Sequence, residues 1–89
     1  MSRNLEQLRN LGPRCAAWLA QIGIHNEDDL RRVGAATAYR ELVVREVVKP
    51  HRMLLYALGG ALEDVDCMRL SHEQKRRLKE DSGVMHRPR

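Results

Sequence analysis

Leu8-Arg9-Asn10-Leu11-Gly12-Pro13-Arg14 ends one amphipathic segment and starts another. Upstream, Leu5, Leu8 and Leu11 recur every third residue, the apolar stripe of a short helix. Gly12-Pro13 breaks that stripe. Pro13 suits the first position of a new helix, where its missing N–H costs nothing. Downstream, Cys15, Leu19 and Ile22 fall on one face of this second helix, with Trp18 beside them. Gly23 fits the left-handed position that closes a helix, and Ile24 can make the accompanying apolar contact. The stretch is a corner between two helical segments.

The same punctuation continues along the chain. Asn26 is a good N-cap, and Glu27, Asp28 and Asp29 suit the positive end of a helix dipole. Leu30 and Val33 are expected to face inward, and Gly34 to stop the element. A fourth helix carries Ala35, Tyr39, Leu42, Val43 and Val47. Its end, Val43-Val44-Arg45-Glu46-Val47-Val48, is β-branched and suits a strand by local propensity. The chain offers no partner strand, so this segment is expected to stay helical until Pro50. Pro50 can open a fifth helix. Met53 to Leu62 is apolar on nearly all sides, which predicts a buried central helix. Gly59 and Gly60 cost that helix about 1 kcal/mol each relative to alanine. They imply a close crossing by another helix. Ser71 and Gln74 have capping-box spacing. The helix they open is highly charged, with Leu78 its only large aliphatic, and is expected on the surface. No internal repeat is visible. The expectation is an all-α fold, a compact orthogonal bundle of five or six short helices, with one domain over 1–81 and a flexible basic tail over 82–89.

Composition narrows the function classes. Among 89 residues there are 12 leucines, 2 isoleucines and 7 valines, enough for a core, and no phenylalanine. Trp18, Tyr39 and Tyr56 are the only aromatics. So few π-surfaces argue against a base-stacking single-strand binder. The longest apolar stretch, Met53 to Leu62, is half the about 20 residues of a spanning helix, so no membrane partner is expected. The N-terminus lacks the apolar region of a signal peptide. The expected location is the cytoplasm, where Cys15 and Cys67 are reduced thiols. A net charge of +4 permits nucleic acid or another acidic partner without requiring either.

The Leu8–Arg14 stretch, with Ile22-Gly23-Ile24, resembles the helix–hairpin–helix element of DNA-binding and repair proteins. In that element, backbone N–H groups at the start of the second helix bind a DNA phosphate without reading sequence. Gly12, Pro13 and Arg14 match its second half. Asn10 stands where the usual first glycine would be and tolerates the left-handed conformation. A plain helical corner uses the same residues. A longer ordered set narrows the choice: Asn10-Leu11-Gly12-Pro13 with Gly23-Ile24; Asp29-Leu30-Arg31-Arg32-Val33-Gly34-Ala35 with Ala38-Tyr39; and Leu54-Leu55-Tyr56-Ala57-Leu58-Gly59-Gly60-Ala61-Leu62. Over residues 4–80 this resembles the C-terminal domain of the TfoX/Sxy family of bacterial competence regulators, here as a stand-alone version. The resemblance implies an all-α fold, a cytoplasmic bacterial protein and a role in controlling DNA-uptake genes. It brings no catalytic residues. Asp64 and Cys67 occupy places where the family often has glycine and tryptophan.

Other chemistry is thin. Cys15 beside Arg14 has the setting of a reactive thiol, but no histidine lies at a spacing that suggests a base, so packing against Leu19 is the favoured role. His25, His51, His72 and His86 are dispersed, and no metal-ligand spacing occurs. The acidic clusters read as helix-start and loop charges. No cofactor and no enzyme activity are expected. Lys75, Arg76, Arg77 and Lys79 form the densest basic run, with Glu73, Glu80 and Asp81 interspersed. The leading expectation is a regulatory or accessory module that contacts DNA phosphates nonspecifically and salt-sensitively. Its candidate residues are Arg9, Asn10, Gly12 and Arg14, with Lys75, Arg76 and Lys79. The alternative is an adaptor that binds a transcription regulator or polymerase component without touching DNA. Exposure of Trp18 or Tyr39 would favour the adaptor.

Overall fold

Eight successive buried residues, Leu54 to Ala61, make the helix Arg52–Glu63 (α4) the centre of the protein. The computed structural model describes residues 3–84. In chain order it contains a 3-10 turn Leu5–Gln7, α1 (Pro13–Ala20), α2 (Glu27–Val33), α3 (Ala35–Val44), α4, a 3-10 turn Cys67–Arg69, and α5 (His72–Ser82). Helices α2, α3 and α5 and the second 3-10 turn pack on α4, while α1 packs on α3 and on the first turn. No strand occurs among the described residues. The core is aliphatic, as the composition requires: Leu19, Ile24, Leu30, Leu42, Leu55 and Leu58 are almost fully buried, with Tyr39 among them.

Most helix ends follow the residues that signal them. Pro13 occupies the start of α1. At its end Gly23 is left-handed (φ +83°), and Ile24 N–H reaches back to the Leu19 carbonyl at 3.0 Å. The Asn26 side chain accepts from Asp29 N–H at 2.9 Å. Ser71 and Gln74 form the full capping box. The α5 crossing is real: a Cβ on Gly59 would lie 2.5 Å from Leu78.

Four expectations need correction. Residues 5–11 do not form an α-helix. Their three-residue apolar repeat matches the 3-10 period instead, with Leu8 N–H bonded to the Leu5 carbonyl and Leu11 N–H to the Leu8 carbonyl. The first arm of a helix–hairpin–helix is therefore not α-helical. Helix α3 stops at Val44, because Glu46 turns left-handed (φ +60°) and Val47 N–H caps the Leu42 carbonyl at 2.9 Å. Helix α4 begins at Arg52, not Pro50. His51 is its N-cap and donates its backbone N–H to the Tyr39 hydroxyl at 2.7 Å, which ties the start of α4 to α3. Val33 is 36% exposed and does not join the core. Of the basic tail expected over 82–89, Ser82 closes α5 and is buried; from Met85 onward it lies outside the described residues.

Candidate interaction site

The turn before α1 and the first turn of that helix hold four of the seven residues singled out above. Asn10 is left-handed (φ +73°), the conformation its side chain tolerates. That side chain points into the protein. Its Nδ2 donates to the Val65 carbonyl at 2.9 Å, and its Oδ1 accepts from Cys67 N–H at 3.1 Å. Gly60 clears the space, since a Cβ there would lie 2.7 Å from Asn10 Nδ2. Asn10 thus staples the N-terminal segment to the exit of α4. Arg9 Nε lies 3.4 Å from Asp64 Oδ1, and both side chains are more than half exposed. Gly12 caps α1 with extended backbone and no side-chain bond. A Cβ on it would meet nothing within 4 Å, so packing within the described fold does not demand glycine there. Arg14 is exposed and makes no ion pair among the described residues.

The basic residues of α5 sit on a separate helix and are mostly committed. Arg76 bonds both Glu73 and Glu80, and Arg77 bonds Glu73. The Arg76 bond, followed by that of Arg77, holds the Glu73 carboxyl below its ordinary range. Lys75 Nζ lies 5.4 Å from the centre of the Tyr56 ring, a cation–π contact. Lys79 is exposed without a carboxylate partner among the described residues.

A third feature was not anticipated. An open groove of about 550 Å³ lies between α1, the segment 47–51 and α4. Its wall and floor are apolar, with Trp18, Val47, Val48, Met53, Leu54 and Ala57. Trp18 is partly buried and Met53 is 40% exposed. Cys15 and Cys67, far apart in sequence, line the same groove as free thiols, together with Lys49 and His51. Tyr39, by contrast, is wholly buried, and desolvation pushes its phenol up. In the sequence Val47 and Val48 continue the periodicity of α3, which hides the groove. Once α3 ends at Val44, an apolar pair in a connecting segment is the signal.

Among the described residues no three His, Cys, Asp or Glu side chains converge as metal ligands. None of their helices is long and apolar enough to cross a membrane.

Five short helices, an α1 start without a side-chain cap and an apolar groove define a small all-α module. The chain belongs to the TfoX C-terminal domain family, whose model matches residues 1–82. It is similar to the crystal structure of an uncharacterized protein from Listeria monocytogenes, with 26% identity and a TM-score of 0.79 over 94% of this chain and 99% of that one. No curated protein matches it.

Proposed function

We propose that this chain is a non-enzymatic regulatory module, connected with bacterial competence, that works by docking a partner protein in the α1–α4 groove. The observation that carries this reading is a partly buried Trp18 and a 40% exposed Met53 lining a mostly apolar groove of about 550 Å³. Tryptophan is the residue type that most often anchors interfaces. DNA contact is the second reading. It is favoured by the uncapped α1 start, the open space at Gly12 and the unpaired Arg14. It ranks second because Arg9 and Arg76 already have carboxylate partners and Asn10 is turned inward.

Two surface variants separate the readings in bacteria whose DNA-uptake genes depend on this chain. Met53→Lys places a charge in the groove, and Arg14→Glu reverses the charge at the turn. Circular dichroism confirms that each variant folds. The docking reading expects uptake-gene expression to fall several-fold with Met53→Lys and to hold with Arg14→Glu. The reverse pattern favours DNA contact. Unchanged expression in both folded variants refutes both readings.

A further inference from the structure

We infer that the α1–α4 groove takes an amphipathic helix of a partner protein whose flanks are acidic. This inference rests on the docking reading above and adds the chemistry of the occupant. The described residues include no sheet edge on which an extended peptide could pair its backbone, so a strand would leave its N–H and C=O groups unmet. A helix satisfies its own backbone and brings only side chains to the groove. Met53, Leu54 and Ala57 on α4, facing Trp18 on α1, form an apolar bed for a row of aliphatic anchors one helical turn apart.

Charge decides the flanks. Lys49 and His51 line the groove, and no aspartate or glutamate does. Glu46 and Asp66 neighbour lining residues in sequence but are not part of the lining. Arg52 likewise neighbours Met53 in sequence without being part of the lining. Arg3, Arg9, Arg31, Arg32, Arg45, Arg76 and Arg77 each hold a carboxylate. Lys49 holds none among the described residues, and neither do Arg14, Arg40, Arg52, Arg69 and Lys79, which do not line the groove. An unpaired lysine, Lys49, therefore lines an apolar bed that holds no carboxylate, the complement of leucines flanked by glutamates.

Trp18 is the only tryptophan in the chain, so its emission reports directly on the groove. The probes are two synthetic helical peptides with leucine at i, i+3, i+4 and i+7. One carries glutamate at the flanking positions and the other lysine. The acidic peptide is expected to shift Trp18 emission saturably and to bind the full chain about tenfold more tightly than the basic one. Two exposed ion pairs of ordinary strength account for a factor of that size. Lys49→Glu with Arg52→Glu should invert the order, and Met53→Lys should abolish both responses in a protein that stays folded by circular dichroism. Equal affinity for both peptides overturns the acidic assignment and leaves groove docking standing. No response to either peptide overturns both. If Trp18 emission instead follows protein concentration, and sedimentation shows a dimer, the occupant is a second copy and the inference fails.

Discussion

Gly59 and Gly60 are adjacent on α4 but face different constraints. A methyl group on Gly59 would strike the end of the Leu78 side chain, which can rotate away. One on Gly60 would lie 2.5 Å from the Val65 backbone carbonyl and 2.7 Å from Asn10 Nδ2, and neither yields cheaply. Alanine in a helix recovers about 1 kcal/mol over glycine. Gly59→Ala should therefore stay within about 1 kcal/mol of the parent in urea unfolding, whereas Gly60→Ala should lose about 2 kcal/mol net through overpacking and a weakened Asn10 staple. The sequence announced a close crossing at this pair. It did not announce that Gly60 serves a side chain 50 positions away, because that contact exists only in the folded chain. Glu27 makes a second test. The bond from Arg3, then that from Arg31, pulls its carboxyl from an ordinary 4.5 down to about 2. A carboxyl depressed in the folded state contributes stability above its unfolded pKa and loses it as pH falls toward the folded value. Thermal unfolding should show this contribution intact above about pH 4.5 and fading toward about pH 2. Glu27→Gln should lose it at neutral pH and flatten the acid limb.

Helix boundaries were readable where a residue type signals them and unreadable where packing imposes them. Pro13, Gly23, Asn26, Gly34 and the Ser71–Gln74 pair all mark observed ends. Helix α3 shows the opposite case. It ends through a left-handed Glu46, with Val47 N–H on the Leu42 carbonyl and Glu46 N–H on the Val43 carbonyl. Burial of Val47 and Val48 against the core holds that turn, and a glutamate gives no local hint of it. Left-handed backbone costs a side-chain-bearing residue about 1–2 kcal/mol, while glycine's extra unfolded freedom costs about 0.5–1 kcal/mol. Glu46→Gly should therefore stabilise the protein by about 0.5–1 kcal/mol, read as a rise of several degrees in melting temperature. A drop would mean that the Glu46 side chain makes a contact that matters. Asp64, also left-handed, is a poorer site for the same change because Arg9 pairs with it.

The surplus of four positive charges looked, in sequence, like a basic run on the last helix together with a basic turn. Folding redistributes it. The α5 arginines are paired with Glu73 and Glu80, Arg9 is paired with Asp64, and the unpaired Lys49 lines the apolar groove. The fold class and family were readable because ordered leucine and glycine spacing carries them. The groove was not, because its members come from three separate parts of the chain. This redistribution makes a quantitative prediction about duplex DNA. Four to six phosphate contacts, the number suggested by the basic residues in sequence, imply a log–log salt slope between about −3.6 and −5.4. At the α1 turn Arg14 is free and Arg9 is paired with Asp64, so a duplex docked there should give a slope no steeper than about −2. Fluorescence anisotropy of a labelled random-sequence duplex across a salt series measures it, and Arg14→Glu should flatten the slope by about 1 or more. A slope steeper than about −4 would show that the duplex engages cations beyond the α1 turn, those of α5 among them. Arg76→Ala would then weaken binding, and the second reading would replace the first.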